Sequence, residues 1–181
     1  MKKKTLIWAG TALLTGFLLG VWLGAAASPP PDPRCLALDA AYTIENVSVP
    51  LRDGVHITRN APNERPDMRT AIERIPVRGC LTRPRGECCA AVILTRQSGE
   101  GGPFSYVAAA IPNGSAPGHG LRGTNAIYLG DHVAVVDMHI ESEILTVRLL
   151  VHAEGIPPEF PPTVEIVRQF FLRGRELVSI Q

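Results

Sequence analysis

Beyond its N-terminal stretch the chain alternates apolar and polar residues with a period of two, and such a pattern folds as sheet with one buried face. Leu145, Val147, Leu149 and Val151 share one side of a strand at 144–151. A Glu141-Ser142-Glu143 turn separates this strand from another at 133–140, the clearest hairpin in the sequence. Tyr42, Ile44 and Asn46 alternate with Thr43, Glu45 and Val47 as a first strand, and Asp53-Gly54 is a turn pair between 49–51 and 55–57. Residues 90–94 and 106–111 are dense apolar runs suited to buried strands, with a Gly99-Glu100-Gly101-Gly102-Pro103 turn between them. Further strands are expected at 126–129, and at 163–172 and 176–180 around Arg173-Gly174-Arg175. Residues 59–69, 112–123 and 155–162 read as loops, and 68–75 could supply one or two helical turns. The expected fold is mostly β: a single antiparallel domain, barrel-like or a strongly curved sheet, of about nine strands after an N-terminal hydrophobic helix.

That helix is the leader at 1–28. Lys2, Lys3 and Lys4 precede an uncharged run of 23 residues at 5–27, which closes on Ala25-Ala26-Ala27-Ser28. A cationic head, an apolar core and small residues at the end describe a secretory signal peptide, here with cleavage after Ala27 as the preferred outcome. The run is also long enough to span a bilayer, which needs about 20 residues. Gly16, Gly20 and Gly24 form a small-residue face of the kind that packs membrane helices. A retained inner-membrane anchor is the close alternative. Either way the lysines stay cytoplasmic and the remainder is periplasmic or extracellular. Residues 29–38, with Pro29, Pro30, Pro31 and Pro33, read as a stiff spacer, and 39–181 as the exported β domain.

Every lysine and both tryptophans lie in the leader, so its removal takes the formal charge from +1 to −2. A nearly neutral exported domain offers no broad field for nucleic acid or an anionic membrane. With no tryptophan and three tyrosines, Tyr42, Tyr106 and Tyr128, it also lacks obvious platforms for stacking bases or sugars. Cys35, Cys80, Cys88 and Cys89 are an even set, for which an oxidising compartment makes two disulfides the default. Adjacent cysteines rarely bond to each other. That leaves Cys80 with Cys88 and Cys35 with Cys89, or the exchanged pairs. The spacings match neither zinc thiolate pairs nor a Cys-x-x-Cys redox centre.

Several landmarks in order resemble a family of small exported bacterial proteins without an assigned activity. They are Ala41-Tyr42-Thr43-Ile44, Leu51-Arg52-Asp53-Gly54, Gly101-Gly102-Pro103-Phe104-Ser105-Tyr106 and Leu129-Gly130-Asp131-His132-Val133, the last similar to a Leu-Gly-Asp-Arg-Val motif. The resemblance spans most of the exported domain and implies a fold and an envelope location, not a reaction. Where such proteins carry an acidic loop able to take calcium, this chain has Gly79-Cys80-Leu81-Thr82-Arg83-Pro84-Arg85-Gly86-Glu87-Cys88-Cys89, and it has no aspartate between Asp67 and Asp131. The late loop that often holds a Cys-Cys pair is here the proline-rich segment 155–162.

No catalytic motif with a defined mechanism is present. Asp131, His132 and His152 could meet across the last long hairpin and form a metal or acid/base group, while His139 and Asp137 read as the wet face of a strand. Ser105 and Ser115 have no identifiable base. Arg52, Arg59, Arg65, Arg69, Arg74, Arg78, Arg83 and Arg85 share 51–87 with five acids, a local balance of +3, and define a candidate docking face for an acidic envelope partner. The expected function is a non-enzymatic binding or interaction module of the envelope, with no cofactor or metal. A small-ligand binder is the next reading, and a hydrolase or metal-dependent enzyme using Asp131, His132 and His152 the third.

Overall fold

The computed structural model describes residues 32–59, 67–81, 89–99, 102–114 and 120–180. The leader at 1–28, Pro29 to Pro31, Arg65, Arg83, Arg85, Ser115 and Cys88 lie outside the described residues. Asp32 begins the described fold as a helix cap, its carboxylate accepting from the Arg34 backbone N–H at 2.9 Å. Pro33 then occupies the first helical position, where its missing N–H costs nothing, and opens α1 (Pro33–Ala37). The far end of the expected spacer is therefore helical and packed, with Pro33 and Ala37 buried. Among the described residues no helix is long and apolar enough to cross a membrane.

β1 (Ala41–Ile44) and β2 (Val47–Pro50) form a hairpin of their own. Glu45 and Asn46 do not continue the first strand as the alternation suggested. Both take left-handed φ values, 50° and 66°, and make the two-residue turn that matches strand twist. The Asp53-Gly54 turn stands where expected, between bridged Arg52 and Val55. Then come β3 (Val55–Thr58), β4 (Met68–Ile72), β5 (Val77–Gly79), β6 (Cys89–Ser98), β7 (Phe104–Pro112), β8 (Leu121–Gly123) and β9 (Ile127–Asp131). The chain ends with β10 (Ala134–Glu141), β11 (Ile144–Val151), β12 (Val164–Arg173) and β13 (Glu176–Ile180). The described strands number thirteen, more than expected. Strands without a counterpart in the sequence reading include β4, read as helical turns, and β5 and β8, three residues each and too short to show a period.

The strands pair antiparallel in three sheets. One is the first hairpin, one is β10-β11-β12-β13, and the largest has seven strands. In the largest, β3-β4-β6-β7-β8 run in that order, while β5 pairs the other end of β6 and β9 the other end of β7. The fold includes one strongly curled half-barrel. Strands β6 and β7 lie between two cores. Ala91, Ile93, Val107 and Ala109 face Leu145, Val147, Leu149 and Phe170 of the four-stranded sheet. Ala90, Val92, Leu94, Ala108 and Ala110 face Ala37, Tyr42, Ile44 and Leu51 of the N-terminal layer. Burial on both faces explains why these two strands read as unbroken apolar runs while the outer strands alternate.

Candidate functional site

The N-terminal layer does not cover the whole of the central sheet, and a cleft opens where its hairpin turn ends. The Glu45–Asn46 turn holds the Glu45 carboxylate over β6 and β7. There one oxygen accepts from the Tyr106 hydroxyl at 2.7 Å, and the other from Arg96 Nη1 at 2.8 Å. Arg96 also directs Nε at the Met68 sulfur across the β4–β6 pair. The β7–β9 register sets Tyr106 opposite Tyr128, with ring centroids 5.5 Å apart, and Phe104 lies 6.4 Å from Tyr128. Both separations fall in the range of favourable aromatic pairs.

The result is an open cleft of about 540 Å³, lined by these six side chains and Ser98. Its rings have different tasks. Phe104 and Tyr128 are 42% and 47% exposed, whereas Tyr106 is 4% exposed and serves as their buttress. Burial, and then donation to the Glu45 carboxylate, pushes the Tyr106 hydroxyl up to about 12. The hydroxyl therefore stays protonated at neutral pH and acts as a donor to the carboxylate. Burial raises Tyr128 in the same direction.

The expected histidine group is brought together in part. His132 and His152 have ring centroids 6.4 Å apart at 74°, and the Asp131 carboxylate is 3.9 Å from His132 Nδ1. That distance is too long for a hydrogen bond, and His132 Nδ1 is buried without one. His152 Nε2 is engaged with the Phe160 carbonyl at 2.7 Å. Among the described residues no group of three or more His, Cys, Asp or Glu side chains could hold a metal. Asp137 and His139 are an exposed pair at 3.2 Å, and the hydrogen bond holds the Asp137 carboxyl below the usual range.

Two of the motifs noted in the sequence, around Phe104 to Tyr106 and Leu129 to Val133, meet at this end of the sheet. Phe104 pairs with Asp131, and the His132 backbone N–H donates to the Pro103 carbonyl at 3.2 Å. His132 adopts φ 49° and lays its ring where a Cβ on Gly102 would sit. Both motifs thus shape the margin of the cleft.

Of the arginines, Arg52, Arg59, Arg69, Arg74 and Arg78 are exposed. Arg69 and Arg74 join Arg34 around a second groove of about 500 Å³, but Asp32, Asp53 and Glu73 line the same groove and mix its charge. Arg74 also donates to the Val136 carbonyl at 3.1 Å. Cys35 and Cys80 are exposed, while Cys89 is buried with its sulfur 3.1 Å from the Gly79 carbonyl. No two described cysteines stand at disulfide distance.

The aromatic platform is what composition concealed. Three tyrosines are few, yet two of them and Phe104 converge on one cleft through strand register. The available signals were Phe104 and Tyr106 on one face of β7 and an Asn-containing turn after Ile44. Comparison of the chain with protein-family models, with curated proteins and with solved structures found no match in any of the three.

Proposed function

We propose that the chain is an exported, non-enzymatic binding domain of the envelope and that the aromatic cleft is its recognition site. The observation that carries this reading is the pairing of two exposed rings, Phe104 and Tyr128, with a polar wall already assembled from Glu45, Arg96 and Tyr106. Binding sites combine apolar walls with a few fixed polar groups in about 300–1,000 Å³, which this cleft does. The family resemblance and the leader support export. The hydrolytic or metal-dependent alternative has the closeness of His132 and His152 in its favour, but one ring nitrogen of His152 is already committed to Phe160.

The chain contains only three tyrosines, and two of them line the cleft. In the full chain labelled with 3-fluorotyrosine, a bound molecule is expected to shift the ¹⁹F resonances of Tyr106 and Tyr128 and leave buried Tyr42 in place. A panel of tri-saccharides, tetramethylammonium, benzoate and neutral tripeptides serves as the probe set. If no member moves the two cleft resonances, the cleft is not a recognition site.

The disulfides belong to the same proposal. The β5–β6 ladder ends at Gly79 opposite Cys89, and Cys80 follows the one while Cys88 precedes the other. A disulfide between Cys80 and Cys88 requires Cα atoms about 4.4–6.8 Å apart. Closing Cys80 to Cys88 would staple this pair after export. Intact-mass measurement of the exported protein, with and without reductant and alkylation, is expected to find at least two thiols oxidised. Four free thiols in the exported form would refute the staple, and the same mass reports whether residues 1–27 are retained.

A further inference from the structure

We infer that the cleft takes a neutral saccharide, bound with one C–H face of a pyranose ring against Phe104 and Tyr128; this rests on the cleft being the recognition site. Glu45 and Arg96 face each other at 2.8 Å, so the polar wall carries both signs in one ion pair. A cationic ligand attracted by the carboxylate meets the guanidinium, and an anion attracted by the guanidinium meets the carboxylate. A ligand without net charge avoids this conflict.

Hydrogen-bonding capacity points the same way. An ionised carboxylate has about four acceptor sites, of which Tyr106 and Arg96 take two. Glu45 lines the cleft and keeps 63% of its side chain exposed, so its remaining acceptors are open to a ligand. Arg96 supplies further donors, and the hydroxyls of Ser98 and Tyr128 act in either sense. A ligand that matches this wall carries several groups that both donate and accept. The rings add the opposite requirement, since Phe104 and Tyr128 offer apolar faces tilted by 48°.

A pyranose combines these properties: an apolar face of C–H groups, a rim of hydroxyls and no charge. A flat nucleobase would satisfy the rings, but on a nucleic acid it brings phosphates to a domain whose formal charge beyond the leader is −2. A quaternary ammonium would also favour the rings, and the guanidinium beside them counts against it.

The test uses the full chain labelled with 3-fluorotyrosine and four probes: tri-N-acetylchitotriose, maltotriose, tetramethylammonium and benzoate. At least one trisaccharide is expected to shift Tyr106 and Tyr128 and not Tyr42, and to receive saturation transfer at its ring C–H protons. Phe104→Ala and Tyr128→Ala should each weaken that binding about tenfold, the loss of about 1.4 kcal/mol expected when one aromatic contact is removed. The unmoved Tyr42 resonance would show that each variant remains folded. Shifts from tetramethylammonium or benzoate with none from either sugar would overturn the saccharide inference and leave the cleft as a binding site. Sugar binding that survives both substitutions places the saccharide elsewhere and also overturns it. Silence from all four probes sinks the saccharide, and the wider panel then decides the cleft itself.

Discussion

Replacing Gly123 by alanine is expected to loosen the N-terminal layer from the central sheet, lower stability and disturb a cleft that the new methyl never touches. A Cβ at this position would lie 2.5 Å from the Ala41 carbonyl oxygen and 2.5 Å from the Tyr42 ring. Neither can yield cheaply. Ala41 is strand backbone, and Tyr42 is fully buried with its hydroxyl donating to the Ala37 carbonyl at 2.9 Å. The strain must pass into the first hairpin, which is tied to the same segment by Thr43 N–H to Thr124 O at 3.1 Å and Ala126 N–H to Thr43 O at 2.7 Å. Overpacking of this kind costs about 1–3 kcal/mol. Because Glu45 sits in the turn of that hairpin, its bonds to Tyr106 and Arg96 should loosen together. The measurements are the urea midpoint and the ¹⁹F resonances of Tyr106 and Tyr128. Gly120→Ala is the control, since nothing lies within 4 Å of a Cβ there. Equal midpoints for the two variants, with the cleft resonances unmoved, would show that the hairpin is not held as described.

Legibility in the sequence follows from how local each feature is. Strands β10 to β13 bury one face, and their alternation announces it: Leu145, Val147 and Leu149 are all fully buried. Residues 90–94 and 106–111 were legible for the opposite reason, because two cores leave no polar positions. The first hairpin was obscured because Tyr42-Ile44-Asn46 keeps the period through a turn, and only the left-handed conformation of Glu45 and Asn46 breaks it. Strand β4 looked like helical turns because Met68 to Ile72 is neither strongly apolar nor alternating, and its pairing with β6 decides its state. The histidines at 132 and 152 could be brought together on paper because a hairpin reflects positions about its turn. The cleft could not. Its central bonds join Glu45 to Tyr106 across 61 positions and to Arg96 across 51, and no local period records such a meeting.

Asn125 is the residue whose loss should cost the C-terminal hairpin most. Its carboxamide behaves as a piece of strand: Oδ1 accepts from the Leu177 backbone N–H at 2.7 Å, and Nδ2 donates to the Leu177 carbonyl at 3.0 Å. Strand β13 is the edge of its sheet, so these bonds supply at Leu177 what a further strand would otherwise provide. Leu177 is 2% exposed and part of the core, which leaves water little room to replace the amide. Asn125→Ala strands a buried donor and a buried acceptor at once. At about 1–3 kcal/mol for each unsatisfied group, the expected loss is about 2–6 kcal/mol. Asn125→Asp should fall between, because it keeps the acceptor for Leu177 N–H but turns a carboxylate oxygen toward the carbonyl. Chemical denaturation gives the magnitude, and hydrogen exchange at the Leu177 amide gives the place. That amide should exchange faster in Asn125→Ala, while Ala109, bonded to Thr124 Oγ1 at 3.0 Å, stays protected. Unchanged exchange at Leu177 would show that the carboxamide does not hold the edge. The contrast with Gly123→Ala then separates the two sides of one short segment. Its backbone holds the first hairpin and so the cleft, whereas the Asn125 side chain holds the last. Asn125→Ala should therefore weaken the fold while leaving the Tyr106 and Tyr128 resonances where they were.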